Sequence, residues 1–172
     1  MLGANIAPGM DREFTAQEWE FIPKKVWYDT IDEANDLVNL NDAANMDIQG
    51  YDIDANILKI ARENAKRAGV DGLIHFQQRA VKDLRHPKKY GFVITNPPYG
   101  ERLEEKSAMP ALYKEMGEAF WQLDTWSHFL ITAYEDAQRY LGKKATKNRK
   151  IYNGMMKTYF YQYMGPKPPA RK

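Results

Sequence analysis

The chain has 172 residues, 44% of them hydrophobic and 28% charged, with a net charge of +2. That balance suits one packed domain and excludes a disordered tail; no run approaches the roughly 18 apolar residues of a membrane helix, and the first residues give no secretory signal. The lack of cysteine excludes a disulfide scaffold and any cysteine-ligated zinc or iron–sulfur site, and it fits a reducing compartment.

Residues 1–28 mix glycine, proline and aromatics and read as a loop with short helical turns. Residues 29–44 read as a polar helix. Residues 46–54 read as a strand closing on the acids Asp52 and Asp54. Apolar residues at 57, 58, 60, 61, 65 and 68 have amphipathic helical spacing, and Gly69 stops that helix. Residues 73–76 form a short strand, and 90–95 another, closed by Asn96-Pro97-Pro98-Tyr99-Gly100. A helix over 107–123 places Leu112, Met116, Phe120 and Leu123 on one side, with Pro110 in its first turn. Residues 128–133 read as a buried strand and 135–141 as a short helix ended by Gly142. The rest reads as strand, Asn153-Gly154, strand, a strong hairpin signal.

Alternating strands and helices imply an α/β fold with a mostly parallel sheet, and the terminal hairpin adds antiparallel strands. Ligands of such sheets bind at the carboxyl ends of strands, where both Tyr51-Asp52-Ile53-Asp54 and Asn96-Pro97-Pro98-Tyr99 fall.

Asn96 offers a carboxamide from a strand end stiffened by two prolines, which lack N–H groups and leave carbonyl acceptors. An exocyclic nucleobase amine becomes a better nucleophile when acceptors hold both its hydrogens; Asn96 and the Pro97 carbonyl suit that task, and Tyr99 offers a ring on which the base stacks. A plain strand-to-loop turn is the alternative. Asp52 is the candidate acceptor for ribose hydroxyls, while Asp54 suits a helix N-cap. His75, His86 and His128 lack metal-ligand spacing, so no metal site is expected. Ser107 and Ser127 have no nucleophile-elbow context.

Charge is unevenly spread. Residues 1–136 carry 15 Lys/Arg against 23 Asp/Glu, whereas residues 137–172 carry 10 Lys/Arg and no acid. Six aromatics, from Tyr140 to Tyr163, interleave with that basic segment, a composition suited to nucleic-acid phosphates and bases; charge alone also permits a solvated basic face over aromatic strand packing.

Asn96-Pro97-Pro98-Tyr99-Gly100-Glu101-Arg102-Leu103 resembles the catalytic motif of S-adenosylmethionine-dependent amino-group methyltransferases. With Ala4-Asn5-Ile6-Ala7-Pro8-Gly9, Gly50-Tyr51-Asp52-Ile53-Asp54, Ala61-Arg62-Glu63-Asn64-Ala65 and Arg149-Lys150-Ile151-Tyr152-Asn153-Gly154, it resembles one family from residue 3 to about residue 164. That family is the bacterial large-subunit (23S) ribosomal RNA guanine-N2 methyltransferases with a THUMP domain, often labelled N6-adenine-specific DNA methylases.

The resemblance implies a Rossmann-like fold, S-adenosylmethionine as cofactor, ribosomal RNA as partner and a cytoplasmic setting without membrane. It implies Asn96, Pro97, Pro98 and Tyr99 as the catalytic loop, and Asp52, Ile53, Ala80, Val81 and Asn96 around the cofactor. Lys147, Arg149, Lys150, Tyr152 and Asn153 are its implied nucleic-acid contacts. Residues 1–165 are then the catalytic domain and 166–172 a basic tail.

Two departures stand out. The family's glycine-rich first strand and turn, of the type Asp-Pro-x-Cys-Gly-Ser-Gly-Thr, are expected ahead of residue 3, as is the THUMP domain. A sheet without that strand, which lies between those ending at Asp52 and Asn96, leaves two strands with unpaired backbone groups. After the third strand the family fold often has an acid for the adenine amine; here Gln78-Arg79-Ala80-Val81 leaves backbone groups of Ala80 and Val81 to substitute. Methylation of adenine N6 in DNA is a rival reading, and a nucleic-acid-binding module, inactive without the glycine-rich segment, is another.

Overall fold

In the computed structural model, residues 1–10, 12–100 and 103–170 are described; Glu101 and Arg102 of the motif, and Arg171 and Lys172 of the expected tail, lie outside the described residues. The chain divides into two compact units, Met1–Gln78 and Arg79–Lys172, each taken by itself below.

In the first unit, Pro23 precedes helix α1 (Lys24–Asp36), and α2 (Leu40–Ala44) follows. One helix over 29–44 was expected. The structure instead starts a helix earlier and breaks it at Asn39, because Asn39 Oδ1 accepts the Asp42 backbone N–H at 3.0 Å and so caps a new helix. Asn39 also donates its own N–H to the Ala4 carbonyl at 2.8 Å, tying α2 to the N-terminal turn. Strand β1 (Ile48–Asp52) leads through α3 (Ala55–Arg67) to β2 (Ile74–Gln78). The two strands are parallel, with Ile48 opposite Ile74 and Asp52 opposite Gln78. Leu58 and Ala65 of α3 are buried, the inward stripe that its spacing predicts.

The second unit holds β3 (Phe92–Thr95), α4 (Leu103–Phe120), β4 (Ser127–Thr132), α5 (Ala137–Leu141), β5 (Lys147–Asn153) and β6 (Met156–Tyr163). Its sheet runs β3-β4-β6-β5, parallel between β3 and β4 and antiparallel across β6. The α/β class, the parallel pairs and the antiparallel hairpin all follow the sequence reading. The sheet is present as a pair and a foursome: among the described residues β1 pairs only with β2, and β3 only with β4. Phe92 and Ile94 of β3 remain 68% and 80% exposed, so this strand carries uncovered apolar side chains as well as an unpaired edge.

Helix α4 begins earlier than expected, which puts Pro110 inside it rather than in its first turn. Of the four residues expected on its inward side, Met116, Phe120 and Leu123 are buried, Leu123 just beyond the helix end. Met109, Tyr113, Met116 and Phe120 point inward onto Leu130, Ala137, Leu141, Tyr161 and Tyr163, and Leu112 is only partly buried. Burying such side chains contributes about 1.5–3 kcal/mol each for the large apolar ones. Gly117 lets α4 lie against α5: a Cβ there would stand 2.5 Å from the Leu141 carbonyl oxygen. Trp121 Nε1 donates to that same carbonyl at 2.7 Å, so the approach also satisfies an indole donor.

The hairpin turn is one residue later than expected. Asn153 pairs with Met156, leaving Gly154-Met155 as the loop. Gly154 has a φ of 60°, and Met155 is not among the positive-φ residues, which is the type II′ arrangement with glycine first rather than the type I′ Asn-Gly turn.

Candidate active site

Strand β3 ends where Pro97 forces the preceding residue out of helical geometry. Asn96 therefore stands at a strand terminus, exposed, with Pro97 and Tyr99 half-buried and Pro98 exposed. The Tyr99 hydroxyl donates to Asn96 Oδ1 at 2.5 Å, which orients the carboxamide within the loop. A carbonyl oxygen has a second lone pair, so this bond leaves Asn96 able to accept once more. Pro97 and Pro98 carry no N–H, and the loop has to be fixed through its carbonyls. The Pro98 carbonyl accepts from the Tyr113 hydroxyl at 3.4 Å, and that hydroxyl lies 2.5 Å from Thr132 Oγ1. The Pro97 carbonyl takes no hydrogen bond among the described residues. Burial raises the Tyr113 hydroxyl pKa from 10.0 to about 12, partly offset by its Thr132 hydrogen bond, so it stays protonated and can donate.

Asp52 closes β1 and is half-buried. Its Oδ1 accepts the Asp54 backbone N–H at 2.8 Å, leaving Oδ2 without a hydrogen bond among the described residues. Asp54 is the N-cap of α3, accepting the Asn56 N–H at 2.8 Å, so the two acids have different tasks. Gln78 Nε2 donates to the Ile53 carbonyl at 2.9 Å and pins the strand end, while the Ile53 side chain is 70% exposed. A carboxylate held by one oxygen, next to an exposed apolar side chain, could hold a ribose. In the second unit, Ala80 and Val81 open a 3-10 turn over Val81–Asp83 and are half-buried. Their carbonyls are engaged by Asp83 and Leu84 N–H groups at 3.0 and 3.1 Å. What they can offer an adenine is therefore chiefly their N–H groups and apolar surface.

The expected nucleic-acid contacts lie on β5, the edge of the second sheet, and Lys147, Arg149, Lys150 and Tyr152 are all exposed. Strand alternation divides them: Lys147 and Arg149 project to one face, and Lys150 and Tyr152 to the other. On the β6 side, Lys157 Nζ lies 3.4 Å from Glu135 Oε1 and 5.0 Å from the Tyr159 ring centre; those hydrogen bonds, Tyr159 first, raise its pKa. Among the described residues no group of three or more His, Asp or Glu gathers as a metal would require. None of their helices is long and apolar enough to cross a membrane.

The profile described as the RMKL-like methyltransferase domain matches residues 1–162. The chain belongs to the RMKL-like methyltransferase family. It is 44% identical over all 172 residues to YpsC of Bacillus subtilis, described as an RNA methyltransferase, and covers 44% of that protein. It is 33% identical over 166 residues to ribosomal RNA large subunit methyltransferase K/L of Shewanella sp., covering 95% of this chain and 23% of that one. The crystal structure of the methyltransferase SMU.472 complexed with SAH superposes with a TM-score of 0.90 at 38% identity, covering 98% of this chain and 44% of the other. The chain thus spans less than half the length of these relatives.

Within this RMKL-like domain, Asn96, Pro97, Pro98 and Tyr99 come together in one loop, and Ala80 and Val81 lie in the same unit; Asp52 and Ile53 belong to the first unit. Sequence reasoning missed Tyr113 and Thr132 beneath the loop. A tyrosine at helical spacing from Met109, Met116 and Phe120 was the available signal, since a buried tyrosine needs a partner for its hydroxyl.

Proposed function

We propose that this domain transfers a methyl group from S-adenosylmethionine to an exocyclic nucleobase amine, guanine N2 of large-subunit ribosomal RNA. The observation that carries the reading is the exposed Asn96 carboxamide, oriented by Tyr99, at a strand end stiffened by Pro97 and Pro98. In this reading Asn96 Oδ1 and the Pro97 carbonyl each accept one amine hydrogen, which frees the nitrogen lone pair from the ring. The Tyr99 ring supports the extruded base. S-adenosylmethionine, when bound, supplies an electrophilic methyl group. Asp52 would hold its ribose, with Ile53 beside it. Catalysis is then positioning without a covalent enzyme intermediate. The K/L relatives support a ribosomal RNA acceptor, and the basic β5 edge supports contact with its phosphates. The proposal includes a cytoplasmic protein in which a THUMP domain and a glycine-rich strand complete the catalytic unit.

Full-length protein given labelled S-adenosylmethionine, with ribosomal RNA and duplex DNA as separate acceptors, tests this. Mass spectrometry of the digested nucleosides is expected to show N2-methylguanosine in RNA alone. N6-methyladenine in DNA would replace the acceptor, and no methylated nucleoside in either would refute the reading. Replacing Lys147 and Arg149, which share a face of β5, together by glutamine is expected to reduce the slope of log affinity for RNA against log salt by about 1–2, as loss of two phosphate contacts requires. An unchanged slope would remove that face of β5 from the RNA surface.

A further inference from the structure

The Asn96–Tyr99 loop contains two consecutive residues that cannot donate a backbone hydrogen bond, so whatever fixes Pro97 and Pro98 has to donate to them. Beneath the loop lie two fully buried hydroxyls. Tyr113 on α4 and Thr132 at the end of β4 are each 0% exposed, and their oxygens are 2.5 Å apart. Thr132 Oγ1 accepts the Tyr134 backbone N–H at 3.0 Å, and Tyr113 Oη lies 3.4 Å from the Pro98 carbonyl oxygen.

The Tyr113–Thr132 pair permits either donor, and one direction satisfies all of these contacts together. A carbonyl only accepts, so the Tyr113 proton goes to Pro98. Tyr113 then has no proton left for Thr132 and must accept from it. Thr132 spends its single proton on Tyr113 and accepts from Tyr134. The chain Tyr134 N–H to Thr132 to Tyr113 to the Pro98 carbonyl satisfies every buried donor and acceptor in one direction only. It also occupies the Pro98 carbonyl, while the Pro97 carbonyl is unbonded among the described residues. The Tyr113 ring is itself wedged in the core, 5.0 Å from the Tyr134 ring centre and packed with Met109 and Met116.

We propose that Tyr113, backed by Thr132, is a positioning residue that sets the peptide planes of the Asn96–Tyr99 loop so that Asn96 Oδ1 and the Pro97 carbonyl meet the two hydrogens of the acceptor amine. This rests on the methyl-transfer reading. Neither residue touches the substrate. Their contribution is to convert a donor-free proline corner into a rigid one, and loss of rigidity there lowers the fraction of bound complexes that are reactive.

The test uses the full-length protein with Tyr113→Phe, Thr132→Val and Thr132→Ser. Tyr113→Phe keeps the ring and its packing and deletes one hydroxyl. Both it and Thr132→Val are expected to lower kcat for nucleic-acid methylation about tenfold, the size of one lost positioning hydrogen bond, with KM for S-adenosylmethionine within about twofold of wild type. Thr132→Ser, which keeps the hydroxyl, is expected to recover most of kcat although it loses a buried methyl group and melts lower than wild type. A purely structural role would make kcat follow melting temperature through the series, and that pattern would overturn the proposal. So would an unchanged kcat in Tyr113→Phe. Wild-type protein inactive on RNA and DNA alike would instead defeat the functional reading, and the positioning role with it.

Discussion

Asn96→Ala is expected to reduce methyl transfer by about three orders of magnitude, about 4 kcal/mol of transition-state stabilisation, while S-adenosylmethionine affinity changes by less than about threefold. The amine lone pair becomes reactive only as the nitrogen leaves the plane of the base, and its two hydrogens then need acceptors at fixed points. Asn96 Oδ1 is one of those points, already held by the Tyr99 hydroxyl at 2.5 Å, so orienting it costs little at the moment of reaction. Alanine removes the acceptor and leaves Tyr99 without its partner. Asn96→Asp keeps an acceptor oxygen at the Oδ1 position and the Tyr99 bond, with a second oxygen in place of the amide NH2, and is expected to retain a measurable share of the rate. Single-turnover methylation gives the rate, and calorimetric titration of the same proteins with the cofactor gives the affinity. Equal turnover in Asn96→Ala would strip the carboxamide of its role and leave the loop a plain turn. Alanine and aspartate variants impaired alike would show that the loop fails for reasons other than a missing acceptor.

How far the fold could be read depends on the range of the interactions involved. Proline restricts its own φ and its predecessor's conformation, so the end of β3 and the exposure of Asn96 were legible from four consecutive residues. The capping role of Asp54 was legible for the same reason, since an N-cap acts within its own turn. Asn39 obeys the same rule, yet it sits between polar residues with no apolar stripe to show where a new helix begins, and one helix was read where there are two. On α4, helical spacing of apolar residues marks Leu112 and not Tyr113. The core accepts the tyrosine because Thr132 and Pro98 lie where its hydroxyl ends, and neither is near it in sequence. The basic cluster on β5 illustrates a mismatch of period. Lys147, Arg149 and Lys150 are close in sequence, but a strand sends neighbours to opposite faces, so they act as two groups. Asp52 had a strand-end signal of its own, whereas Ile53, Ala80 and Val81 came only through resemblance, because apolar side chains and backbone groups form no distinctive residue pattern.

The hidden histidine is the other position with a large expected effect, read in stability rather than rate. His128 on β4 is 2% exposed, stacked on Phe120 with ring centres 5.0 Å apart and edge-on to Trp121 at 5.3 Å. Among the described residues its Nε2 has no hydrogen-bond partner, and neither does the hydroxyl of Tyr163, the residue opposite it on β6. From the α5 side the group facing this cluster is Lys143, whose Nζ lies 4.7 Å from the Trp121 ring centre. Burial, and then the charge of Lys143, lower the His128 pKa from 6.5 to about 4, against a smaller opposing hydrogen bond with the Phe120 backbone. The folded state therefore holds His128 neutral where the unfolded chain already binds a proton. Above pH 6.5 the residue is neutral in both states and adds no pH dependence. As pH falls from 6.5 to 4 the unfolded chain gains the proton first, and stability drops by about 3 kcal/mol before the folded form also titrates. Denaturant unfolding followed by tryptophan fluorescence at steps across that window measures the loss. His128→Phe keeps an aromatic ring against Phe120, removes the unpartnered nitrogen and cannot titrate. Its stability is expected to equal or exceed wild type at pH 7 and to fall far less by pH 4, the difference between the two proteins isolating His128 from the carboxylates that titrate at the same end. Parallel curves for the two proteins would mean that the acid sensitivity resides elsewhere and that the core tolerates a charged His128.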